Sequence, residues 1–161
     1  MSDDVSRIQE QLIRVERDAK KLPWAAERPW TRQTHVWWEN DMPIVDLHDL
    51  GVSLGRKSVR QVGRIAGKLE SGAVCFVTGV GKNSMGPSKM RAATQSVLGD
   101  MTDKKDGWWF RPLGPGRFVL ITDEDKAPRA AKGELGPLFW GGVIFFLVLL
   151  VTMFVLNVLG L

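Results

Sequence analysis

After Glu134 the chain carries no charge for 27 residues, reading LGPLFWGGVIFFLVLLVTMFVLNVLGL over 135–161. A bilayer core of about 30 Å is crossed by about 20 apolar residues at about 1.5 Å rise each, and 138–159 meets that length. A helix of a soluble core carries a polar stripe, and this run has none. A secretory signal would lie at the other end, where the chain opens with the polar MSDDVSRIQEQ. The run therefore predicts one transmembrane helix over 137–161, acting as a C-terminal tail anchor. Lys126, Arg129 and Lys132 precede it and nothing charged follows, so the positive-inside rule places 1–134 on the cytoplasmic side of a single-pass membrane protein.

Residues 1–134 are the length of one ordinary domain, and all the charge lies there. A net charge of +4 and a pI near 9.5 suit an anionic partner, either nucleic acid or the lipid surface to which the domain is tied. Cys75 is the single cysteine and sits in the apolar run AVCFV, which excludes an internal disulfide and a cysteine-based zinc site.

Val5, Ile8, Leu12 and Val15 recur at helical spacing among charges, so 1–22 reads as an amphipathic helix. Its apolar stripe can pack on the domain, on a second copy or on another protein. A Trp/Pro-rich arm follows over 23–42, in which Pro23 and Pro29 break regular structure. Its tryptophans Trp24, Trp30, Trp37 and Trp38 fill grooves on the domain or meet lipid headgroups or a partner. The arm is expected to be non-helical.

Over 43–123 the pattern gives a strand at Pro43–His48, a helix at Gly55–Glu70, a strand at Ala73–Gly79, a helix at Pro87–Leu98, and strands at Trp108–Pro112 and Arg117–Thr122. Leu113-Gly114-Pro115-Gly116 is turn chemistry between the last two. The βαβαββ order predicts an α/β fold, a small two-layer sandwich on a mixed sheet whose first two strands run parallel. Residues 124–136, polar and broken by Pro128 and Gly133, read as a linker to the anchor.

In the first domain helix, Val59, Val62, Ile65, Ala66 and Leu69 share one arc, and Arg56, Lys57, Arg60, Arg64 and Lys68 share the opposite one. Together with Lys82, Lys89 and Arg91 they place eight cationic residues between Gly55 and Arg91 against the single acid Glu70. A solvated helix face mixes signs, because like charges at i, i+4 repel. This one does not, and it points either to an anionic surface opposite it or to a merely solvated face.

Thr78-Gly79-Val80-Gly81-Lys82-Asn83 turns from the second strand toward the next helix, where glycines let backbone N–H groups approach an anion. It is neither a Walker A loop nor GxGxxG. Combined with Val45-Asp46-Leu47-His48 on the first strand, it resembles the small MutS-related (Smr) domain. That family opens with Leu-Asp-Leu-His-Gly and carries His-Gly-x-Gly after its second strand. The resemblance covers about 43–123 and implies a βαβαββ sandwich that binds DNA or RNA and in many members cuts it. It carries Asp46 and His48 as catalytic candidates and the loop residues Gly79, Gly81 and Lys82 as phosphate contacts, to which the charge pattern adds Lys89, Arg91 and the helix cations as expected nucleic-acid contacts. Asp46 and His48, at i and i+2, share a strand face. There the carboxylate either orients the imidazole or bonds the next loop's backbone, with the histidine capping the strand.

Asp49 stands where the family has glycine, and Thr78 where it has the second histidine. A site stripped of one imidazole loses an acid, base or phosphate contact. The expectation is a membrane-tethered domain that binds nucleic acid and cleaves it weakly or not at all, with no cofactor beyond the divalent metal a nuclease would use. The alternative is an adaptor or assembly subunit of a membrane complex, in which the basic helix meets lipid or an acidic membrane-protein partner. Deleting 135–161 should move the protein to the soluble fraction, and protease on the far side of the membrane should leave 1–134 intact; digestion of the domain from that side would reverse the topology.

Overall fold

The structure, a computed structural model, describes residues 3–79 and 88–133. Among these, the elements in chain order are α1 (Asp3–Gln11), α2 (Ile13–Ala19), α3 (Arg32–His35), β1 (Val36–Glu39), β2 (Met42–Asp46), α4 (Val52–Ala66), β3 (Ala73–Val77), α5 (Lys89–Thr102), β4 (Trp109–Pro112), β5 (Arg117–Ile121) and α6 (Arg129–Lys132). They build an α/β fold on one mixed five-stranded sheet of order β1-β2-β3-β5-β4. β2 and β3 pair in parallel and the remaining pairs are antiparallel. The apolar run Ala73 to Phe76 is buried throughout, as a strand covered on both faces requires.

Alternation along the strands sends side chains to two cores. On one face Val36, Val45, Val74, Phe76, Phe118 and Leu120 meet α1, α2, α4 and α5. On the other, Met42, Ile44, Cys75, Val119 and Ile121 lie under Ala127 and Ala131, the latter on α6. Burial pushes the Cys75 thiol up to about 11, which leaves it a core residue without nucleophilic character at neutral pH. Glu39 accepts from the Trp37 indole and the Arg117 guanidinium, both at 3.0 Å. These bonds hold its carboxyl below the usual carboxylate range, the Trp37 bond first.

Three readings change. The N-terminal helix is broken at Leu12 into α1 and α2, yet Val5, Ile8, Leu12 and Val15 are all buried in the helix-side core, so its stripe packs on the chain's own domain. The arm is not wholly non-helical. Thr31 caps α3 by accepting from the Thr34 N–H, and the chain then enters β1 as a fifth, edge strand. Asn40 and Asp41, at φ 52° and 60°, make the two-residue hairpin joining β1 to β2, the left-handed pair such turns demand. Finally, the segment read as a linker packs as far as α6: Ala127 and Ala131 are buried, and the Arg111 guanidinium donates to the Lys132 carbonyl. The run 137–161 lies outside the described residues; among the described ones no helix is long and apolar enough to cross a membrane.

Asp4 ties α1 to the sheet. Its side chain is fully buried and accepts from the backbone N–H groups of Glu70 and Ser71, each at 2.9 Å, where α4 hands over to β3. Asp4→Ala leaves both amides without an acceptor and should cost roughly 3 kcal/mol in chemical denaturation, with Asp4→Asn, which keeps one acceptor oxygen, costing about half. Wild-type stability in Asp4→Ala would show that this bond pair does not fasten α1.

Candidate functional site

Because β2 and β3 are parallel, their carboxyl ends lie side by side, with Asp46 opposite Val77. One further bond, from Leu47 N–H to the Val77 carbonyl at 2.8 Å, carries the pairing just past the strand. Asp46 Oδ1 accepts from the His48 backbone N–H at 2.8 Å and lies 2.5 Å from His48 Nδ1. The carboxylate thus does both things the sequence allowed: it fastens the loop's backbone and orients the ring. A carboxylate only accepts, so in neutral His48 the proton sits on Nδ1 and Nε2 is left as an acceptor. Nε2 faces Gly79, which has φ +72°, and a Cβ there would collide with that nitrogen. Glycine is what lets the imidazole lie against the start of the loop.

The arm braces this corner. The Trp30 indole, 2 % exposed, donates to the Asp46 carbonyl at 2.8 Å, and the Trp24 indole donates to the Asp49 carbonyl at 2.8 Å. Asp49 itself is left-handed at φ 62°, a conformation that aspartate tolerates better than most side chains. Sequence reasoning missed both tryptophans as supports of the site. The available signal was chemical: a buried indole N–H seeks an acceptor, and an arm placed just before the first strand has that strand's end within reach.

Thr78 is buried, and both its backbone N–H and its hydroxyl donate to the Gly116 carbonyl, at 2.7 and 3.0 Å. Its hydroxyl is committed to the β4–β5 turn. Gly81 and Lys82 lie outside the described residues, as does Pro87, so the helix expected from there is described only from its cap at Ser88, whose hydroxyl accepts from the Arg91 N–H.

Arg56, Arg60, Arg64 and Lys68 are exposed, and their side chains make no ion pair among the described residues. Lys57 leaves this row. It bonds Asp18 of α2 at 2.6 Å, and that hydrogen bond holds the Asp18 carboxyl below its ordinary range. Lys89 is exposed, and the Arg91 guanidinium lies over the Phe118 ring, 5.6 Å from its centre. Side chains at Gly55 and Gly63 would collide with Met90 and Met101, so the two glycines let α4 and α5 approach closely. Each helix follows a parallel strand and so starts at the end where His48 and Gly79 meet. Arg56, Lys89 and Arg91 share that end, while Arg60, Arg64 and Lys68 continue the row along α4. No three His, Cys, Asp or Glu side chains come together as a metal site among the described residues.

The orientation of His48 is open to direct measurement. ¹⁵N NMR of the neutral imidazole should show the proton on Nδ1, and Asp46→Ala should remove that preference. A proton found on Nε2 in the wild type would mean that Asp46 does not orient the ring.

Compared with known proteins, the chain matches no family model, no curated protein and no solved structure.

Proposed function

We propose that this chain is a membrane-tethered, Smr-like nucleic-acid-binding domain that holds its ligand through the phosphate backbone and cleaves it weakly or not at all. The observation that carries this reading is the row Arg56, Arg60, Arg64 and Lys68, exposed, spaced at i, i+4 and without acidic partners among the described residues. Mutual repulsion along such a row costs helix stability unless an anionic surface offsets it. Lys and Arg contacts to phosphates supply affinity without sequence information.

The likeness to the Smr domain draws support from the backbone. Asp49, at the position of that family's glycine, keeps the left-handed φ that glycine adopts most readily, and the β2-α4-β3-α5-β4-β5 order is the one the family pattern implies. Asp46 and His48 offer one oriented imidazole, and a lone acid or base contributes about 10² to 10⁴ in rate, far below what phosphodiester cleavage needs. Thr78 cannot take up a proton near neutral pH, and its hydroxyl is bound to Gly116. Binding therefore outlives cleavage. The tail anchor over 137–161 keeps the domain at the cytoplasmic face of its membrane.

With the full-length chain in detergent, Arg60→Glu combined with Arg64→Glu should abolish tight binding of an oligonucleotide. The milder Arg60→Ala/Arg64→Ala pair should weaken it and flatten the slope of log K against log salt by about 1.5, as the loss of two phosphate contacts requires. Binding that persists with an unchanged slope would make the row a solvated face. Robust cleavage lost in His48→Ala would make the domain a nuclease instead.

A further inference from the structure

We infer that Trp24 is a stacking platform for an unpaired base, so that the nucleic acid this domain takes is single-stranded; this rests on the binding role proposed above. Trp24 is 39 % exposed, one of few large apolar side chains left open to solvent among the described residues. Its place is fixed from two sides. The indole N–H is held by the Asp49 carbonyl at 2.8 Å, and its backbone carbonyl accepts from the N–H groups of Glu27 and Arg28 at 3.1 and 2.9 Å. The ring edge reaches within 4.0 Å of where a Cβ on Gly51 would stand, at the cap of α4.

This location joins the aromatic face to the basic row. Asp49 directly follows His48, and Val52, 37 % exposed, directly follows Gly51. Val52, Arg56 and Arg60 then succeed one another at i, i+4 and i+8, on one side of α4. A strand whose phosphates lie along Arg56 and Arg60 thus brings a base to the apolar step formed by Val52 and Trp24, beside the exposed imidazole of His48. An aromatic face at the end of a cationic groove is how sequence-tolerant proteins hold single strands. A duplex keeps its base faces in the stack and cannot use such a platform without extruding a nucleotide. Because the indole N–H is spent on Asp49, the ring has no donor with which to read a base edge, so the contact favours no particular base.

The test uses full-length protein in detergent with labelled oligodeoxythymidylate, an abasic oligonucleotide of equal length, and a duplex. Trp24→Ala should weaken the oligodeoxythymidylate complex about tenfold. It should leave the abasic strand and the duplex unaffected, and Trp24→Phe, which keeps an aromatic face without the N–H, should recover most of the loss. Equal weakening by Trp24→Phe and Trp24→Ala would make the indole bond to Asp49, and not the ring face, all that Trp24 contributes to binding, and would overturn the inference. So would equal weakening on the abasic strand, or oligonucleotide binding that is unchanged while adhesion to phosphatidylserine vesicles is lost. If the wild type binds none of the three probes, the binding role itself fails; if it binds them and Trp24→Ala changes nothing, the stacking role alone fails.

Discussion

Ile44, Val45 and Asp46 run parallel to Cys75, Phe76 and Val77, and two parallel strands cannot be joined by a tight turn. The chain must leave the end of β2, cross one face of the sheet and return, and α4 is that crossing. Its apolar side is therefore pinned to the core through Val59, Val62 and Ala66, and its opposite side, with Arg56, Arg60 and Arg64, is turned to solvent. The same pairing brings the end of β2, with Asp46 and His48, against the end of β3, with Thr78 and Gly79. Cationic row and imidazole corner thus come from one topological constraint. Ligands of open α/β sheets are commonly found outside the carboxyl ends of their strands.

The N-terminal third of the chain stabilises that corner from outside. Asp4 fastens α1 where α4 returns to β3, Lys57 bonds Asp18 of α2, and the indoles of Trp24 and Trp30 cap the carbonyls of Asp49 and Asp46. Left-handed backbone at Asp49 and Gly79 flanks His48 on both sides. A histidine held this way has one nitrogen committed to a carboxylate and the other, beside the loop backbone, left to accept a hydrogen bond or a proton.

Periodicity made the central elements legible. The apolar runs of β3 and β5 and the opposed arcs of α4 are strong local signals, and their boundaries moved by only a few residues. β1 was hidden because its two tryptophans read as groove fillers after two prolines, although Asn40-Asp41 is a left-handed hairpin pair. Packing of 127–133 rests on small residues, Ala127 and Ala131, which carry little hydrophobic signal in a polar stretch. Within the site, the Asp46 to His48 contact was visible from i, i+2 spacing. The loss of Lys57 to Asp18 was not, since it joins residues 39 apart that only the docking of α2 on α4 brings together. The indole bonds to backbone carbonyls are of the same kind: nothing local specifies them.

Hydrogen exchange of the full-length protein, read by mass spectrometry with and without a saturating single-stranded oligonucleotide, tests the whole account at once. A ligand lying across the strand ends and along α4 should slow exchange over 46–60 and at 88–91 and leave it unchanged over 36–42 and 126–133. Protection confined to 36–42 and 126–133, at the β1 edge of the sheet and around α6, would contradict it.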